Sequence, residues 1–117
     1  MVLKKMKRGE IYFADLDPTV GAEIKKKRPV LIVSNNANNK AGRTVTIVPI
    51  TSTIKKIYPF EVFLEKEDSG LAKPSKTQCH QIRTIAKIRI QARKVGGVSD
   101  TVMLEIEAAI KLHLALD

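Results

Sequence analysis

Apolar and polar residues alternate in short blocks along most of this chain, and they fall into a helical period only near its end. Residues 10–16 alternate and are predicted as a first strand with Ile11 and Phe13 on one face. Val30-Leu31-Ile32-Val33 is an uninterrupted apolar run, entered through Pro29 and followed by Ser34 and Asn35. A short β-branched run bounded by turn residues predicts a strand buried on both faces, here residues 29–34. Residues 35–42 (NNANNKAG) are turn-rich, with room for one helical turn. Residues 44–50 are mostly β-branched and form a third predicted strand, ended by Thr51-Ser52-Thr53. Residues 60–64 alternate as a fourth strand, and residues 65–74 make a charged loop.

Residues 75–82 and 83–90 are predicted as two further short strands or one bent one. In an extended strand Gln78, His80 and Ile82 share one face, and Thr77, Cys79 and Gln81 the other. Gly96-Gly97 marks a break. Over residues 99–116, Val102, Met103, Ile106, Ala109, Ile110 and Leu114 recur at three- and four-residue spacing, which predicts a helix capped by Ser99 or Asp100. Many short strands and one terminal helix predict a mainly β, α+β fold. Its sheet would be a small, strongly bent, partly open barrel with the helix over one side.

Composition narrows the partners. The 117 residues fit a single domain, residues 1–117, with 44 % apolar residues for a core. Trp is absent and there are two Tyr and three Phe, so Val, Ile and Leu must supply most packing, with Phe13, Phe60 and Phe63 assigned to the core. The formal net charge is +9, and residues 1–98 alone carry +12, because four acids and one lysine lie in residues 99–117. Such a body predicts an anionic partner, most commonly nucleic acid. No apolar run approaches the ~20 residues of a membrane span, and the N-terminus lacks the apolar core of a secretory signal. The single cysteine, Cys79, fits a reducing, cytoplasmic setting.

The candidate chemistry is cationic. Lys25, Lys26, Lys27 and Arg28 run directly into Pro29 and the second strand. A guanidinium rooted in a core strand suits bidentate recognition of phosphate; the same stretch also fits a solvated basic loop. Thr51, Ser52 and Thr53 place hydroxyls at a strand end, where local backbone capping competes with a chemical role. Arg83, Lys87 and Arg89 read as a solvated basic edge. Zinc-like spacing is missing, His80 and His113 are distant in sequence, and neither a phosphate-cradling P-loop nor a dinucleotide glycine fingerprint occurs.

Four segments, in order, resemble the MazF/PemK toxins, messenger-RNA endoribonucleases of bacterial type II toxin–antitoxin pairs. They are Lys7-Arg8-Gly9-Glu10-Ile11-Tyr12-Phe13-Ala14-Asp15-Leu16; Gly21-Ala22-Glu23 leading to Arg28-Pro29-Val30-Leu31-Ile32-Val33-Ser34-Asn35; Val48-Pro49-Ile50-Thr51-Ser52; and Gln81-Ile82-Arg83-Thr84-Ile85-Ala86-Lys87. The resemblance implies an SH3-like barrel, a homodimer, no cofactor, and a small acidic antitoxin. It maps the family's central arginine onto Arg28 and its strand-end hydroxyl onto Thr51, with Ser52 and Gln81 near the RNA groove. Lys25, Lys26, Lys27 and Arg83 join them as RNA-binding candidates, and His80 is a candidate for proton transfer. Two departures matter. His80 stands where some relatives carry a carboxylate, so their general base does not transfer, and Ala86 replaces an aspartate.

The implied reaction is metal-independent cleavage of single-stranded mRNA by its own 2′-hydroxyl, giving a 2′,3′-cyclic phosphate and a 5′-hydroxyl. Arg28 would stabilise the developing charge, since a group with a free pKa above ~12 makes a poor general base. Two alternatives remain: a toxin of the same fold that poisons DNA gyrase, and a plain RNA-binding barrel. The barrel class uses exposed stacking aromatics, whereas Phe13, Phe60 and Phe63 are assigned here to the core.

Overall fold

The third strand, β3 (Thr44–Thr51), organises the sheet because it is engaged on both edges and both faces. The computed structural model describes residues 5–17, 20–23 and 27–117. Along one edge β3 pairs antiparallel with β2 (Lys27–Ile32), in the register Val30–Pro49, Leu31–Val48 and Ile32–Ile47. Its other edge pairs first with β6 (Arg83–Ala86) and then, at Ile50 and Thr51, with β5 (Ser75–Gln78). Successive β3 side chains enter two different cores. Val45 and Ile47 pack with Tyr12, Ala14, Leu16, Val30, Ile32, Ile85 and Ile90, the interior of the barrel. Val48 and Ile50 pack with Ile11, Leu31, Val62, Leu64 and Cys79 under the C-terminal helix. A strand with no solvent face must read as a near-continuous apolar run, as β2 and β3 do.

The seven strands follow the order β4-β5-β3-β2-β1-β7, with β6 on β3, where β1 is Glu10–Asp15, β4 Glu61–Leu64 and β7 Ile90–Gly97. A 3-10 turn over Lys87–Arg89 carries β6 round to β7, which returns to β1 through Ala14–Ile90. The result is a mixed α+β architecture around a partly open, SH3-like barrel. Short helices α1 (Asn36–Ala41, capped by the Asn35 side chain) and α2 (Lys66–Ser69) fill connections. The terminal helix α3 (Asp100–Leu114) starts at Ser99, whose Oγ accepts from the Val102 N–H at 3.2 Å, and buries Met103, Ile106 and Ala109.

Four details differ from the expectation. Ile11 and Phe13 share a face, but the layer covering Ile11 leaves Phe13 37 % exposed, and Phe63 is 41 % exposed. Tyr12 and Ala14 fill the barrel instead. The alternation expected over residues 75–82 is interrupted by a 3-10 turn at Cys79–Gln81. Leu114 lies beyond the core and is 46 % exposed. Finally, residues 96 and 97 are no break. They belong to β7, a strand exposed through its middle and held by its ladder to β1, so hydrophobic periodicity could not reveal it.

Gly96 has a steric role there, since a Cβ at this position would lie 1.8 Å from the Ser69 carbonyl oxygen. The atom it meets is backbone, so neither neighbour can rotate away. Gly96→Ala is therefore expected to cost about 2–3 kcal/mol, read as a lower urea midpoint. A midpoint within error of wild type would show that α2 moves freely off β7.

Candidate active site

The described cationic and hydroxyl groups gather at one end of the barrel. Arg28 pairs with Ala14, and Lys27 with Asp15, at the close of the β1–β2 ladder. The β2–β3 ladder ends at Val30–Pro49. Two residues beyond that last pair, on their own strands, stand Arg28 and Thr51, and both keep the barrel-side parity of Val30 and Ile47. Arg28 is half-buried and Thr51 is 9 % exposed. Arg83 sits on β6 opposite Ile47, and its Nη1 donates to the Leu16 carbonyl at 3.4 Å, which brings its guanidinium to the same end. Gln81 is half-buried in the 3-10 turn leading to β6, and Ser52 is exposed just after β3. Lys25 and Lys26 lie outside the described residues; Lys27 is exposed.

Thr51 does make the local contact its position suggests: its Oγ1 accepts from the Thr53 N–H at 3.2 Å. That bond uses a lone pair and leaves the hydroxyl proton for another acceptor. The expected solvated edge of Arg83, Lys87 and Arg89 is different in fact. Lys87 is buried, with Nζ donating to the Asn39 carbonyl, and Arg89 donates to the carbonyls of Asp15 and Asp17. These two cations fasten loops, and Arg89 anchors the end of β1 beside Lys27.

His80 and His113, distant in sequence, have ring centroids 6.2 Å apart. His80 also lies edge-on to Phe60 at 4.4 Å, and its Nδ1 is buried with no hydrogen-bond partner. Burial pushes its pKa below the ordinary value; the Glu61 charge opposes this, while His113 and Lys76 reinforce it. The folded environment therefore favours the neutral imidazole over the charged one. Among the described residues, no three His, Cys, Asp or Glu side chains converge as a metal site.

Sequence reasoning missed the segment between β3 and β4. Glu61 and Lys76 form an ion pair at 2.9 Å with side chains 3 % and 10 % exposed. Lys76 Nζ also donates to the Lys56 carbonyl at 2.8 Å, and Glu61 Oε1 accepts from the Tyr58 N–H at 2.9 Å. Only the aromatic pair two residues apart, Tyr58 and Phe60 behind two lysines, signalled an ordered loop. A separate groove of about 820 Å³ runs between β4 and α3, lined by Phe63, Glu65, Asp68, Val102, Glu105 and Leu112 among others. None of the predicted site residues lines it.

An arginine and a hydroxyl at one end of the barrel supply donors of the kind that phosphate oxygens accept from. Residues 7–114 match the family described as PemK-like, MazF-like toxin of type II toxin-antitoxin system. The chain belongs to this family. It is 44 % identical to "Endoribonuclease MazF9" of Mycobacterium tuberculosis over 95 % of this chain and 98 % of that protein. It is 37 % identical to "Endoribonuclease EndoA" of Bacillus subtilis over 95 % and 96 %. A solved structure described as an endoribonuclease in complex with its cognate antitoxin, from a mycobacterial species, superposes with a TM-score of 0.79 at 28 % identity, covering 96 % of this chain and 97 % of that one.

The neutral His80 has a measurable consequence for this MazF-like chain. As pH falls through the ordinary histidine range near ~6.5, the unfolded chain takes up a proton that the folded chain resists. Stability therefore falls on acidification through that window, and the histidine adds no such dependence above it. His80→Gln is expected to shrink the loss of urea midpoint between pH 7.5 and pH 5.5. An equal loss in wild type and variant would assign the pH dependence to other groups.

Proposed function

We propose that this chain is a sequence-specific, metal-independent endoribonuclease toxin that cleaves single-stranded mRNA and so arrests translation and growth. The observation that supports this most directly is that Arg28 and Thr51, on neighbouring strands, both stand just past the end of the β2–β3 ladder with the same barrel-side parity. The family membership and the relatives named as endoribonucleases point the same way. The gyrase-poisoning and plain RNA-binding alternatives are not favoured for that reason. The absence of stacking aromatics no longer counts against the latter, because Phe13, Tyr58 and Phe63 are exposed.

The reaction needs little beyond alignment and charge. The ribose 2′-hydroxyl gives up its proton as its oxygen attacks the adjacent phosphorus, the P–O5′ bond breaks, and the departing 5′-oxygen takes a proton from solvent. The products are a 2′,3′-cyclic phosphate and a 5′-hydroxyl. Arg28 stabilises the dianionic phosphorane, because a strand-rooted guanidinium presents two parallel donors without reorganising. Thr51 donates its hydroxyl proton to a non-bridging oxygen. His80, kept neutral, is the candidate acceptor of the 2′-hydroxyl proton; its Nδ1 is buried, so Nε2 is the exchanging atom. Lys27, Ser52, Gln81 and Arg83, together with Lys25 and Lys26, hold the strand.

Expected partners follow. An acidic antitoxin segment would fold onto the same basic mouth and exclude RNA. A second copy of the chain would cover the exposed Leu104, Leu112 and Leu116 side chains of the helical end, giving a homodimer. No helix among the described residues is long and apolar enough to cross a membrane; the place of action we propose is the cytoplasm, where mRNA is.

Arg28→Ala is expected to fold with an unchanged circular dichroism spectrum and to lose ~10²–10³ in cleavage rate. RNA carrying one 2′-deoxy nucleotide at the cut position should bind and stay whole, and cleavage of the all-ribose strand should persist in excess chelator. Near-native activity of Arg28→Ala, or cutting of the deoxy substrate, would remove the mechanism. For the antitoxin, a short acidic chain from the neighbouring reading frame should displace labelled RNA competitively. Simultaneous binding of both would place the antitoxin elsewhere.

A further inference from the structure

The loop between β3 and β4 carries an aromatic column whose outer end faces solvent. Tyr58 stacks parallel to Phe60, with ring centroids 5.4 Å apart and 2° between planes. Phe60 rests edge-on against His80 at 4.4 Å, and His80 faces His113 of α3. The column is thus braced from the helix outward, yet Tyr58 at its tip remains 43 % exposed. Its backbone is fixed as well. The Tyr58 N–H donates to Glu61 Oε1, and the Lys56 carbonyl accepts from Lys76 Nζ, so one buried ion pair ties down both sides of the tip. Solvent-exposed tyrosines on unconstrained loops have no need of such bracing.

Charge surrounds the ring. Lys56 Nζ lies 4.8 Å from its centroid and Lys76 Nζ 5.8 Å. The tip is also tied to the phosphate site through the sheet, because Lys76 is the cross-strand partner of Thr51. A flat, braced ring with an exposed cation beside it, one strand away from the Thr51 hydroxyl, has the components of a nucleotide subsite.

We propose that Tyr58, backed by Phe60, stacks one nucleobase of the RNA strand next to the phosphate held at Thr51, with Lys56 moving from the ring to the neighbouring backbone phosphate. This rests on the RNA-cleaving reading above. The exchange is favourable in magnitude. An exposed cation over a ring is worth roughly 2- to 5-fold in an equilibrium, whereas stacking a base on an aromatic side chain is worth roughly 5- to 150-fold. The displaced ammonium also gains a phosphate partner.

The chain's composition supplies a direct probe. There is no Trp, and the only other tyrosine, Tyr12, is buried with its hydroxyl on Glu10 Oε1 at 2.9 Å. Binding of a non-cleavable oligonucleotide, 2′-deoxy at the cut position, should quench the tyrosine emission of wild type and leave that of Tyr58→Phe unchanged while both bind equally. Tyr58→Leu should bind about 10-fold more weakly. An abasic substitution scanned along the oligonucleotide should find one position whose ~10-fold penalty in wild type disappears in Tyr58→Leu. The proposal is overturned if Tyr58→Leu binds like wild type, or if every abasic position costs wild type and Tyr58→Leu the same. The readout is binding, so it separates the two claims. A wild-type protein that shows the abasic signature but leaves all-ribose RNA intact would refute the nuclease reading and keep the stacking subsite.

Discussion

Because β3 has neither a free face nor a free edge, its placement fixes that of nearly every other element. Val45, Ile47, Val48 and Ile50 must each match one of two cores, and a one-residue slip against β2 would send Val45 and Ile47 to the helix side and Val48 and Ile50 into the barrel. The register is therefore strongly determined by packing, and it fixes the strands that carry Arg28 and Thr51 just beyond the ladder's end. The candidate chemistry inherits its precision from the core. Neither residue sits on a loop that has to find its place, although each begins or ends one.

The Lys76–Glu61 pair is a different kind of constraint. Burying two charges in a small β layer is costly, and a well-packed apolar pair would often be as stable or better. What an apolar pair could not do is hold the Lys56 carbonyl and the Tyr58 N–H. The pair thus converts its desolvation cost into a fixed course for the loop that follows Thr51. Removing either partner alone would leave the other charge buried, so the loop and the ion pair stand or fall together.

Much of this was legible from sequence, and the reasons for the exceptions are physical. The double-faced run of β2, the β-branched β3 and the period of α3 are hydrophobic signals, and each element appeared within one or two residues of its expected bounds. β7 was invisible because an edge strand paired through its backbone needs no apolar pattern. Assigning Phe13 and Phe63 to the core failed because a pleat fixes which side a residue faces, while coverage of that side depends on distant elements. In the site, Arg28 and Thr51 were legible as strand ends. The fastening of Lys87 and Arg89 to carbonyls, the approach of His80 to His113 and the pinned Tyr58 were not, since all depend on contacts between residues far apart in the chain.

The separation of the barrel mouth from the β4–α3 groove also decides where anions can go. The groove is the more concave feature, but Glu65, Asp68 and Glu105 line it beside Phe63, Val102 and Leu112. A polyanion is repelled there whatever the shape complementarity, and an acidic peptide meets the same field. The barrel mouth presents Lys27, Arg28, Arg83 and Arg89, with half-buried guanidiniums. A single strand of nucleic acid needs no deep cavity, because its phosphates and bases are accessible along its length. Under the proposed function, RNA and an acidic inhibitor would be driven to the same surface by the same charges. Mutual exclusion between them requires no conformational switch, only that this surface is too small for both.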